Sequence, residues 1–124
     1  MNTLIIEATE DTPRVLFDTQ EGCFEVSGRS LPEDCATFYK PVLEWLSQYQ
    51  KEPLQNTVFQ MKLEYFNTAS SKIILDLLMK FEKIKELGKN VQVDWYYYED
   101  DEDMLEAGQE FSEMIDLPFE YKIL

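Results

Sequence analysis

Three short apolar runs, Thr3 to Ile6, Arg14 to Asp18 and Cys23 to Gly28, are separated by the turn formers Asp11-Thr12-Pro13 and Gln20-Glu21-Gly22. This pattern predicts an opening antiparallel meander. Ser30-Leu31-Pro32-Glu33 then has capping-box spacing, and Phe38, Val42, Leu46 and Tyr49 follow at helical steps, predicting a helix to about Gln50. Pro41 falls inside it and disfavours a straight helix by roughly 3 kcal/mol, so a kink or a later start is expected. From Thr57 to Phe66 alternation is strict, with Phe59, Met61, Leu63 and Tyr65 on one face and Val58, Gln60, Lys62 and Glu64 on the other. Ala69 to Leu87 places Ile74, Leu77, Leu78, Phe81 and Ile84 on one helical stripe, with Lys72, Asp76, Lys80 and Lys83 opposite. Gly88-Lys89-Asn90 closes that helix, and Val91, Val93, Trp95 and Tyr97 alternate through the next strand. Asp101 to Met114 reads as a third helix and Phe119 to Ile123 as a last strand.

The second half is therefore strand, helix, strand, helix, strand, with connections long enough for right-handed parallel crossovers. The expected class is α/β, or α+β given the meander: a two-layer domain with a mixed sheet of five or six strands and about three helices mainly on one face. At 124 residues the chain is expected to form one domain spanning 1–124.

Charge narrows the partners. Twenty-five acids against eleven bases give a net charge of −14, which opposes a phosphate backbone or an anionic bilayer, so nucleic-acid binding and membrane insertion are not expected. The start Met1-Asn2-Thr3-Leu4 has no basic, apolar leader pattern, and a cytoplasmic location is expected. With no histidine, the commonest general base, metal ligand and nucleophile activator are missing. Cys23 and Cys35 form no CxxC and read as buried thiols, and the four glycines form no nucleotide-binding loop. No cofactor is expected.

Three segments carry candidate chemistry. Residues 99–116 hold nine acids and no base, beginning with Glu99-Asp100-Asp101-Glu102-Asp103. Clustered carboxylates such as Asp100, Asp101 and Asp103 suit a divalent cation, but their spacing matches no calcium loop; the same run describes a solvated helix start or a docking face for a basic partner. Trp95-Tyr96-Tyr97-Tyr98 puts aromatic rings on both faces of one strand, either as core and sheet cover or as an exposed patch for a protein.

The third segment is the strand-to-helix turn Tyr65-Phe66-Asn67-Thr68-Ala69-Ser70-Ser71-Lys72. With Asn67 as cap, Thr68 occupies the first turn with its hydroxyl outward, the free amides and the Ser70 and Ser71 hydroxyls are expected to converge nearby, and Lys72 lies one turn on. A phosphoryl group on Thr68 adds about −1.5 to −2 charges where the helix dipole favours anions. Such turns are common as simple caps, and spacing alone leaves the function open.

At these residues the chain resembles the SiaC family of bacterial regulatory phosphoproteins, small proteins similar in fold to anti-sigma-factor antagonists of the STAS type. The resemblance is carried by the turn from Tyr65 to Lys72, by Phe38-Tyr39-Lys40-Pro41 with Trp45-Leu46, by the Glu99-Asp100 and Gly108 region, and by Pro118-Phe119. It implies that Thr68 is the phosphoacceptor; Asn67, Ser70, Ser71 and Lys72 are expected to support it and to take part in partner recognition, with the turn and the following helix as the partner-reading surface. Ser70 and Ser71 are secondary candidates, and Ala69 stands where the family more often has serine. The implied circuit is a partner switch: a protein kinase phosphorylates the threonine, a PP2C-type phosphatase removes the phosphate, and the unphosphorylated protein binds and activates a diguanylate cyclase, controlling cyclic di-GMP and biofilm behaviour. Such a protein is not an enzyme. The competing expectation is a constitutive acidic adaptor or inhibitor that binds a basic protein through residues 99–116, with Thr68 only a helix cap.

Overall fold

A computed structural model describes all residues, 1–124. The elements in order are β1 (Leu4–Ile6), β2 (Arg14–Asp18), β3 (Cys23–Ser30), α1 (Cys35–Tyr49), β4 (Asn56–Phe66), α2 (Thr68–Glu86), β5 (Asn90–Tyr97), α3 (Glu102–Met114) and β6 (Phe119–Ile123). The six strands lie side by side in chain order. β1, β2 and β3 are the expected antiparallel meander, and β3 through β6 are parallel neighbours. Each parallel pair is joined through one helix in the same direction along the sheet, so right-handed crossovers put all three helices on one face. The fold is the expected two-layer α/β arrangement.

The covered face supplies Val15, Phe17, Phe24, Val26, Phe59, Met61, Leu63, Val93 and Trp95 to a core cluster of 23 buried residues. The helices answer with Tyr39, Val42, Leu46, Ile74, Leu77, Leu78 and Phe81. Phe59 and Phe81 stack across the sheet-helix boundary with centroids 4.3 Å apart.

The bare face is a mesh of polar contacts. Asp94, only 3% exposed, accepts from Lys122 Nζ at 3.1 Å and from Gln92 at 2.6 Å. Tyr96 lies beneath Lys62 at 5.0 Å, and Tyr98 donates to Glu64. The aromatic quartet thus divides as core and sheet cover: Trp95 is buried, Tyr97 packs against the core, and Tyr96 and Tyr98 lie on the bare face.

Local expectations change at three places. Ser30 is not a helix cap: it ends β3, and Asp34 caps α1 by accepting from Thr37 N at 3.1 Å. The late start follows because the extended chain through Ser30 pairs with Phe66, keeping it in the sheet. α1 runs continuously through Pro41, whose ring stands on the exposed side.

Tyr65 is the third correction. The β3–β4 register steps from Gly28–Leu63 to Arg29–Tyr65, leaving Glu64 as an extra residue. That bulge reverses the alternation, turning Tyr65 outward at 52% exposure and Phe66 toward the core.

α3 approaches the sheet closely because residue 108 is glycine. A Cβ there meets Trp95 Cδ1 at 2.5 Å, and the Trp95 indole N–H donates to the Met104 carbonyl at 2.9 Å. The glycine leaves room for the ring to lie against the helix.

Candidate functional site

The chain leaves β4 at Phe66 and enters α2 two residues later, at the carboxyl end of the parallel strands. Asn67 is extended at φ −86° and ψ 172°, and its side chain accepts from Ser70 N at 2.8 Å. This is the expected N-cap. The Asn67 amide donates to the Ser30 carbonyl at 3.1 Å, so the turn is tied to the end of β3 as well.

Thr68 is the first residue of α2 and is exposed. The amides of Thr68 and Ala69 have no acceptor within the helix, because the preceding turn does not exist. Lys72 is also exposed and, four residues on, shares the helix side of Thr68. It takes part in none of the three ion pairs. Ser71 is half-buried, with its amide bonded to the Asn67 carbonyl at 3.1 Å.

Ser70 departs from expectation. It is fully buried, and its hydroxyl lies 2.9 Å from Ser30 Oγ and 3.0 Å from the Ser30 carbonyl, which accepts its proton. Ser70 precedes Ile74 by one turn and so continues the apolar stripe inward. It does not converge on Thr68 with the free amides, and in this fold it is a structural tie beneath the turn.

The tie has two further members. Tyr39 Oη lies 2.6 Å from Ser30 Oγ, and Cys35 Sγ lies 3.4 Å from Ser70 Oγ. Burial pushes the Tyr39 phenol up to about 12, against the opposing effect of its hydrogen bond with Ser30. Every buried polar side-chain atom has a hydrogen-bond partner, so this network is satisfied within the protein. Ser30, Cys35 and Tyr39 are positioning residues that local pattern does not reveal, since they meet Ser70 only through tertiary packing.

The acidic run is placed mostly at the solvent-facing start of α3. Asp101 caps this helix, accepting from Met104 N at 3.1 Å, while Glu102 and Asp103 lie in its first turn, where the dipole favours them. No three His, Cys, Asp or Glu side chains are grouped to hold a metal ion. No helix is long and apolar enough to cross a membrane.

Comparison with known proteins follows this geometry across nearly the whole chain. The chain is 29% identical over 119 residues to an uncharacterized protein of Pseudomonas aeruginosa strain UCBPP-PA14, covering 96% of this chain and 94% of that one. The crystal structure of apo-SiaC from Pseudomonas aeruginosa matches with a TM-score of 0.89 at 29% identity, over 98% of this chain and 99% of that chain. SiaC from the same organism, solved in complex with the diguanylate cyclase SiaD that it activates, matches with a TM-score of 0.89 at 29% identity, over 98% and 99% of the two chains. The family model for SiaC family regulatory phosphoproteins matches residues 6–124, and the chain belongs to that family.

Proposed function

We propose that this chain is a non-enzymatic phospho-switch whose acceptor is Thr68. A protein kinase phosphorylates it, a PP2C-type phosphatase restores it, and the unphosphorylated form binds and activates a diguanylate cyclase in the cytoplasm. Residues 1–124 act as one domain in this reading.

The observation that carries the proposal is the contrast within one turn. Among its hydroxyls, that of Thr68 belongs to an exposed residue at the head of α2, whereas Ser70 is sealed beneath it. Family membership and the activation of SiaD by the similar Pseudomonas aeruginosa SiaC support the regulatory role and the class of effector. The kinase and phosphatase follow from the resemblance to the family.

The physical switch is local. A phosphoryl group on Thr68 brings about −1.5 to −2 charges to the positive end of α2, near the free amides and Lys72. In the free protein that charge stays hydrated. In an interface it must be desolvated, and an uncompensated penalty of about 4 kcal/mol lowers binding roughly a thousandfold. No refolding is needed.

Phosphopeptide mapping of the protein isolated from its native cells tests the acceptor. A single phosphoryl group within residues 66–72, located on Thr68 and removed by phosphatase, supports the proposal. Unmodified Thr68 in the presence of the active cognate kinase contradicts it.

A further inference from the structure

Beside the turn, the structure holds a small cavity of about 190 Å³ between the end of β4 and the start of α3, lined by Tyr65, Phe66, Asp101, Asp103, Met104 and Ala107. Its composition is divided. Tyr65, Phe66, Met104 and Ala107 provide apolar and aromatic surface, and two carboxylates complete the lining. Neither Asp101 nor Asp103 is in an ion pair, and no basic residue occurs from 99 to 121. The Asp101 cap bond uses Oδ1, so its second oxygen remains available as an acceptor. Tyr65 lines this cavity because the β4 bulge turns it outward.

We propose that this cavity receives an arginine side chain of the partner protein, resting on the reading that the unphosphorylated chain binds a cyclase at this end of the sheet. An arginine matches both parts. Its aliphatic stem suits Met104 and Ala107, its planar head stacks on an exposed aromatic ring, and its fork of donors suits paired carboxylates. A carboxylate anchor is repelled by Asp101 and Asp103, and a purely apolar anchor leaves both acids desolvated without a partner. Thr68 does not line the cavity, but Phe66, two residues before it, does, so the anchor site and the phosphoacceptor are separate and share the end of β4.

The test measures affinity of the unphosphorylated full chain for its diguanylate cyclase by calorimetry. A double variant, Asp101→Asn with Asp103→Asn, removes both charges while asparagine keeps the helix cap. A second variant, Ala107→Phe, fills the cavity, with its melting temperature checked against wild type. A control double variant, Glu110→Gln with Glu113→Gln, removes the same charge from exposed positions elsewhere on α3. The expected result is at least a tenfold loss for the asparagine pair and for a folded Ala107→Phe, with the control within twofold of wild type. Equal weakening by the control assigns the effect to the overall acidic field and overturns the anchor. Wild-type affinity in the asparagine pair overturns it too, while leaving the cyclase reading intact. Absence of cyclase binding by wild type overturns both readings.

Discussion

The hydroxyl oxygens of Ser30 and Ser70 lie 2.9 Å apart, joining the end of β3 to the first turn of α2 across forty residues of sequence. Ser70 also donates to the Ser30 carbonyl, and Asn67 N reaches that same carbonyl. One residue of the sheet thus holds both the cap and the floor of the Thr68 turn. Replacing Ser70 with alanine removes a buried donor-acceptor pair and is expected to cost about 1–2 kcal/mol, measured by urea denaturation. The same burial predicts that Thr68→Ala does not transfer phosphorylation to Ser70, read by phosphopeptide mapping after kinase treatment.

Tyr39 links this floor to α1 and gives the protein an alkaline limit. Its phenol is held neutral by burial, with a pKa raised from 10.0 to about 12. Below pH 10 the folded and unfolded states both keep the proton, and the stabilisation is fully present. Above it the unfolded state ionises first, so stability falls between about pH 10 and 12, by an amount on the order of 2–3 kcal/mol from this group. Tyr39→Phe is expected to lose about 1 kcal/mol at neutral pH, through its missing hydrogen bond with Ser30, and to show a shallower alkaline decline in denaturation midpoints.

Gly108 is expected to resist substitution. A Cβ at 2.5 Å from the Trp95 ring forces α3 away from β5 or moves the indole out of its place against Met104. Gly108→Ala is predicted to destabilise the fold by about 1–3 kcal/mol despite alanine's better helix propensity, with a shifted tryptophan emission spectrum.

Asp34 caps α1 through both the backbone and the hydroxyl of Thr37, and these bonds hold its carboxyl below the usual range. A lowered carboxylate pKa stabilises the fold above the unfolded value and is lost as pH falls through the folded one. Asp34→Ala is therefore expected to lower the melting temperature at pH 7, with the difference from wild type narrowing in acid, followed by thermal melts.

Much of this architecture is written in local periodicity. The alternation around Phe59 and Val93 and the stripe from Ile74 to Ile84 are enough to place these strands and this helix along the chain, because each repeats its apolar face at the period of its own backbone. Asn67 is recognisable as a cap because its side-chain reach to Ser70 N is a property of four adjacent residues. Tyr65 and Ser30 are not legible in the same way. The bulge at Glu64 arises from pairing between β3 and β4, and Ser30 has the spacing of a cap although β4 keeps it in the sheet. Ser70 was within reach of pattern, since it stands four residues before Ile74 on the buried stripe. The cavity under Tyr65 depends on that bulge and on the approach of α3, which no single segment encodes.

In the proposed switch, one phosphate on Thr68 decides whether the effector is bound. The most direct test is the affinity of the diguanylate cyclase for this chain in its unphosphorylated form and in a form stoichiometrically phosphorylated on Thr68, measured side by side at one ionic strength. Tight binding and cyclase activation are expected of the first form, and an affinity lower by two to three orders of magnitude of the second, on the order of 3–4 kcal/mol. Equal affinities for the two forms contradict it.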